Sequence, residues 1–267
     1  MINVALLGAG NVATHLFEAF FASKSIEVLQ WYNRSIDSIK SFENKTEVID
    51  DLDRLKEADM YILALRDDAI ASISQQLPFS DRFVVHTSGS VNIHDLDRKN
   101  SRGVFYPLQT FSKSAPIDFK NVPFCVECED KSRLHLLTDI ATAIGSPSYK
   151  LNTEQRQTLH LSAVFVNNFT NQLYRIAHEI SDAKNINFDI LKPLITETAH
   201  KVQELSPYMA QTGPAKRNDK KTINRHLKQL EKPQHKEIYE LLTRSIQDTH
   251  GISTPKSKSK NRQNSDL

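Results

Sequence analysis

Residues 2–35 read INVALLGAGNVATHLFEAFFASKSIEVLQWYNRS, and this stretch decides the fold. Ile2 to Leu7 is an apolar run of strand length. It ends in Gly8-Ala9-Gly10-Asn11-Val12-Ala13, an amphipathic stretch follows from about Val12 to Ala22, and a second apolar run covers Ile26 to Trp31. Strand, glycine-rich turn, helix, strand is the context that gives a Gly-x-Gly-x-x-Ala motif its meaning. Gly8 allows the tight turn, Gly10 lets the backbone approach a pyrophosphate, and the small Ala13 lets helix and strand pack closely. The helix N-terminus, with Asn11 and Val12 in its first turn, then faces the phosphates.

The end of the second strand selects the nucleotide. An acidic residue there holds a ribose 2′-hydroxyl, whereas an arginine accommodates a 2′-phosphate. This chain has Asn33-Arg34-Ser35. A guanidinium offers two parallel donors to a phosphate that a carboxylate would repel. The reading is therefore NADP(H). The plainer alternative is that Arg34 and Ser35 only start a solvated helix.

Beyond this unit the alternation continues. Strands are expected at 46–49, 60–65, 82–86, 103–106, 123–127 and 148–151. Helices are expected at 51–58, 67–77 and 133–144. Strands alternating with helices predict an α/β Rossmann domain, a doubly wound and mostly parallel sheet, over 1–151. From Thr153 the pattern turns helical, with one long helix to about Ala183, a helix N-capped by Asp189, and two more at about 220–230 and 234–247. An all-α domain is thus expected over 152–250 and a disordered basic tail over 251–267. The chain has 267 residues, enough for two domains. Its 34 basic residues against 32 acidic ones create no field that argues for nucleic acid or a membrane surface. No apolar run reaches the ~20 residues of a bilayer span, and the first strand does not read as a signal peptide. The expected location is the cytoplasm. Cys125 and Cys128 have Cys-x-x-Cys spacing. On an alternating strand they point to opposite faces, so ordinary thiols are expected rather than a metal or redox pair.

Ligands of doubly wound sheets sit beyond the carboxyl ends of the strands, which singles out several clusters. Leu65-Arg66-Asp67-Asp68 should flank the cofactor through Leu65 and Arg66, with Asp67 or Asp68 read as a helix cap. His86-Thr87-Ser88-Gly89-Ser90 offers hydroxyls, backbone N–H groups for an anion, and His86 as an acid or base. Tyr106-Pro107-Leu108-Gln109-Thr110-Phe111 reads either as a pocket wall, with Gln109 toward substrate, or as a rigid turn. On the long helix His160, Asn167, Asn171, Tyr174 and His178 fall on roughly one stripe, with Asn168 at its edge. His160, Asn167 and Asn168 are read as facing a wet interdomain cleft, and His178 as part of a solvated face. The loop Thr212 to Asp219 presents Arg217 as an anion-binding fork or an ordinary turn.

The N-terminal half resembles the NADP-binding domain of deazaflavin-dependent NADP reductases, pyrroline-5-carboxylate reductase, ketopantoate reductase, and β-hydroxyacid and 6-phosphogluconate dehydrogenases. The whole ordered chain is similar to a family of Rossmann-like bacterial proteins with a helical C-terminal domain of unknown function. Gly8 to Ala13, Asn33 to Ser35, His86 to Ser90, Tyr106 to Ser112, His160 to Tyr174 and Thr212 to Asp219 carry that likeness. It implies a C-terminal domain similar to that of 6-phosphogluconate dehydrogenase, and a homodimer through the helices. The catalytic Lys that hydroxyacid dehydrogenases carry one turn before an Asn is missing, because Ala163 and Val164 stand there. His160 is the candidate replacement. The reading is an NADP(H)-dependent oxidoreductase acting on a small polar carbonyl, imine or alcohol, with His160 as acid/base and Asn167 or Asn168 orienting the reacting oxygen. Ser88 and Gly89 hold the substrate's anionic group, and no metal is expected. The alternatives are an NADP-binding sensor or scaffold without chemistry, and reduction of a bound flavin or deazaflavin stacked on Tyr106 and Phe111.

Overall fold

The structure is a computed structural model that describes residues 1–112 and 115–252. Apart from Gly251 and Ile252, the expected basic tail lies outside the described residues. By contact density the chain forms two compact units, Met1–Phe169 and the residues from Thr170 onward.

In the first unit the strands are β1 (Ile2–Leu7), β2 (Ile26–Tyr32), β3 (Glu47–Ile49), β4 (Met60–Leu63), β5 (Phe83–His86), β6 (Ser101–Pro107), β7 (Phe124–Cys128) and β8 (Ser148–Lys150). They form one eight-stranded sheet in the order β3-β2-β1-β4-β5-β6-β7-β8. Every pairing is parallel except β6 with β7. This is the doubly wound architecture that the alternating pattern predicts. The order reverses beside β1, so the crevice beyond the ends of β1 and β4 is the topological switch point. The middle of the sheet is buried on both faces, because β4, β5 and the C-terminal part of β1 are buried at every position. Along β1, Val4 and Leu6 enter one core with Leu16, Phe17 and Phe20 of helix α1 (Asn11–Ala22), while Ala5 and Leu7 enter the other with Ile70 of helix α2 (Asp67–Gln76). Helix α3 (Leu134–Ala143) adds Leu137 and Ile140 to the α1 side. Cys125 belongs to a third, smaller cluster and Cys128 packs against the α1 side. Their thiols therefore lie on opposite faces.

Three local expectations need correction. Residues 51–58 contain only a 3₁₀ turn at Leu52–Arg54. The chain there is tied to neighbouring strands instead, with the Gln30 amide bonded to Arg54 and Lys56 and the Tyr61 hydroxyl donating to the Lys56 carbonyl. Asp189 is not a helix cap. Asn187 caps a 3₁₀ turn at Phe188–Leu191, and Asp189 pairs with Lys192. The long helical run is also not uniformly α. Helix α4 (Thr153–Ala163) passes into a π-helical segment, Val164–Phe169, that ends the first unit.

The second unit contains α5 (Thr170–Asp182), α6 (Lys192–Glu204), the single turn α7 (Pro207–Ala210), α8 (Lys220–Gln229) and α9 (Pro233–Thr249). Only Ala215, His235 and Gln247 of its described residues are buried, and none of them joins a hydrophobic core cluster. His178 packs against Phe188 within this unit.

Candidate active site

The glycine turn is fixed from both sides. Trp31, fully buried, donates its indole N–H to the Gly8 carbonyl at 2.6 Å, and the Gly8 N–H donates to Tyr32. Gly8 has φ +115°, and a Cβ there would lie 2.2 Å from the Ala64 carbonyl oxygen. Gly10 differs, because a Cβ on it would meet no atom within 4 Å. Gly10 is the N-cap of α1 and contributes no side-chain cap. The first N–H groups of that helix thus face open space with their partial positive charge.

That open space is a cavity of about 1160 Å³ lined wholly by the first unit, between Gly8 and Asn168. It exceeds the roughly 300–1,000 Å³ of ordinary small-molecule pockets. One end is the glycine turn with Asn11 and Val12, then Tyr32, Asn33, Arg34, Leu65 and Arg66. Arg34 is exposed and makes no ion pair with any described residue, whereas Arg66 is bonded to Asp68 at 3.2 Å. The other end holds Ser88, Gly89, Tyr106, Gln109, His160, Asn167 and Asn168. The π turn carries both asparagines. Such turns insert a residue relative to α geometry and recur at functional sites.

Two candidate residues lie apart from the cavity. Ser35 is not in its wall, and His86 is fully buried behind the loop. The Ser88 N–H donates to His86 Nδ1 at 3.1 Å, so the neutral ring carries its proton on Nε2, which has no partner among the described residues. Burial, with the nearby Arg156 cation, pushes the His86 pKa down to about 3. Two more of the loop's backbone donors are spent internally: Ser90 and Val91 N–H both donate to Ser88 Oγ. Asp67 and Asp68 do not N-cap α2, since Arg66 holds that position. Asp67 instead accepts from the Ser90 hydroxyl and lines the cavity.

Two features escaped sequence reasoning. Arg156 is fully buried and pins the loop from behind. Its Nη1 donates to the Ser88 and Gly89 carbonyls at 3.1 and 2.9 Å, and its Nη2 to Glu127 and Thr153, each at 3.3 Å. Burial lowers its pKa while Glu127 opposes the shift. Its place one turn before His160 on α4 was a usable signal. The second feature is the pairing of Tyr106 Oη with His160 Nδ1 at 3.0 Å. Fifty-four residues separate the two, so no local spacing reports it.

Residues 3–89 match the family described as NADP oxidoreductase coenzyme F420-dependent, and residues 122–246 match a domain of unknown function, DUF2520. A Bacteroides fragilis protein, provisionally named NADP oxidoreductase BF3122, is 39% identical with a TM-score of 0.82, over 92% of this chain and 98% of that one. The chain belongs to this family. This chain joins a region matching the NADP-oxidoreductase family to one matching DUF2520. Two more distant structures share the fold. Protein TM1727 of Thermotoga maritima has 19% identity and TM-score 0.72, covering 93% of this chain and 98% of that one. The Plasmodium falciparum pyrroline carboxylate reductase, solved with NADP bound, has 10% identity and TM-score 0.62, covering 95% and 98%. No curated protein matches the chain. Among the described residues, no helix is long and apolar enough to cross a membrane.

Proposed function

We propose that the protein is an NADP(H)-dependent oxidoreductase acting on a small polar carbonyl, imine or alcohol. One observation carries this reading. A single cavity joins an open glycine turn and an unpaired arginine to a histidine and two asparagines. The residues fit the nucleotide. The void at Gly10 leaves room for a pyrophosphate against the α1 N-terminus. Arg34 has no ion pair among the described residues and can clasp a 2′-phosphate, and Asn33, a neutral amide that donates to the Ser35 carbonyl, adds no negative charge. Leu65 and Arg66 wall the same end. When bound, NADPH supplies a hydride equivalent. His160 manages the proton on the reacting atom, Asn167 or Asn168 orients it, and Ser88, Gly89 and Gln109 shape the substrate's place.

Isothermal titration with NADPH and NADH tests the assignment. NADPH is expected to bind at least tenfold more tightly, and Arg34→Ala to erase the difference. If neither nucleotide binds the wild type, the oxidoreductase reading is wrong.

The functional unit in this reading is a homodimer. Ile186, Ile190, Leu194, Leu205 and Leu241 are 47–71% exposed, and other large apolar side chains of the second unit are similarly open. These side chains give the second unit apolar surface of the kind that stable interfaces cover. A helical unit without a core of its own needs a permanent partner, and a second copy of the chain is the commonest one.

A further inference from the structure

We infer that Tyr106 is a positioning residue that fixes His160 as an Nε2–H donor facing the cavity, ready to hydrogen-bond the oxygen or nitrogen of a carbonyl or imine. The inference deepens the oxidoreductase reading but stands on geometry of its own.

Tyr106 is 9% exposed, and burial pushes its pKa up to about 12, so the hydroxyl keeps its proton at neutral pH. Its acceptor is His160 Nδ1. The reverse arrangement, with Nδ1–H donating to the phenol oxygen, leaves the buried Tyr106 O–H without an acceptor among the described residues. That arrangement leaves the mostly buried O–H with only the cavity that Tyr106 lines and no such acceptor, which disfavours it. With Nδ1 accepting, the neutral imidazole carries its proton on Nε2. Nε2 has no partner among the described residues, and His160 lines the cavity.

The surroundings are built to keep these rings together. Gly89 does not have the positive φ that demands glycine. A Cβ there would lie 2.6 Å from His160 Nδ1, 2.7 Å from His160 Cγ and 2.8 Å from Tyr106 Cζ. Glycine is thus required by the two rings and not by the backbone. Arg156 holds the Gly89 and Ser88 carbonyls from the opposite side, so the loop cannot withdraw. Gly89 therefore makes room for the ring pair.

A neutral Nε2–H can hydrogen-bond a carbonyl oxygen or imine nitrogen and stabilise the charge that grows there during reduction. Proton loss from an alcohol runs through the same two ring nitrogens in the opposite sense. With hydride supplied to the carbon by a bound NADPH, the C=O π pair would move to oxygen, and oxygen would take the Nε2 proton. The Tyr106 proton passes to Nδ1, and solvent restores the phenol. The ring stays neutral throughout. The transfer runs downhill because an alkoxide is a stronger base than even this phenolate.

The test is ¹⁵N NMR of histidine-labelled protein at pH 8, with the His160 signals assigned by their loss in His160→Gln. Wild-type His160 is expected to be protonated at Nε2, with Nδ1 an acceptor. In Tyr106→Phe the Nδ1–H fraction should rise roughly fivefold, the worth of one net hydrogen bond. Gly89→Ala keeps the hydroxyl but forces the rings apart, and should give the same shift. A wild-type His160 protonated at Nδ1, or a tautomer ratio unmoved by both variants, overturns the inference. NADPH titration of the wild type judges the oxidoreductase reading separately, since the tautomer is read without nucleotide.

Discussion

Replacing Arg156 by methionine removes a cation that is completely buried and leaves Glu127, whose side chain is 15% exposed, without its partner. It also strips the donors from the Ser88 and Gly89 carbonyls. Breaking a buried pair by deleting one member costs about 3–5 kcal/mol, because the remaining charge is stranded. The slight exposure of Glu127 lets some water return, and the two carbonyls add about 1 kcal/mol each. A net loss of roughly 4 kcal/mol corresponds to about 10 °C in Tm for a unit of this size. Urea unfolding followed by circular dichroism measures it. Glu127→Met should rescue the variant in part, because the double substitution strands no charge, and a double-mutant cycle should give about 2 kcal/mol of coupling. The reasoning is refuted if Arg156→Met costs less than about 1 kcal/mol, or if the two substitutions are additive within about 0.5 kcal/mol.

The two turn glycines should separate folding from binding. Gly8→Ala is expected to impair folding, seen as low soluble yield or a Tm loss above about 10 °C, whereas Gly10→Ala should keep the wild-type Tm yet weaken NADPH at least tenfold by calorimetry. His86 should make the protein acid-sensitive. Its native pKa of about 3 lies below the ordinary 6.5, so its contribution is complete above pH 6.5. That contribution is lost as pH falls toward 3, by up to about 1.4 kcal/mol per pH unit. Urea midpoints at pH 7 and pH 5 should therefore differ less in His86→Gln than in wild type. Ile190→Glu with Leu194→Glu should halve the mass measured by light scattering, and an unchanged mass would remove that face from the interface.

The local sequence determined the Rossmann half almost alone. Largely apolar strands, amphipathic helices and a glycine turn are short-range patterns, and each constrains its own φ/ψ and burial. Asn33 and Arg34 could be grouped with the glycine turn for the same reason, since strand β2 and the turn after β1 occur within one βαβ unit, and Asn33, Arg34 and the glycine turn all line the cavity. The helix expected at 51–58 failed because contacts from β2 and β4 outcompeted a weak local propensity. The π segment at Val164–Phe169 is invisible to a 3.6-residue count. Only the tertiary structure decided what meets what beyond the strand ends. It sent His86 into the interior and Asp67 to Ser90, spent two loop donors on Ser88 Oγ, and set Tyr106 against His160 across a glycine with no Cβ. Those contacts join residues twenty to seventy positions apart or depend on side-chain geometry, and a one-dimensional pattern encodes neither. They arise when packing of the sheet and α4 fixes which side chains share a volume, and there the chemistry of the site is set.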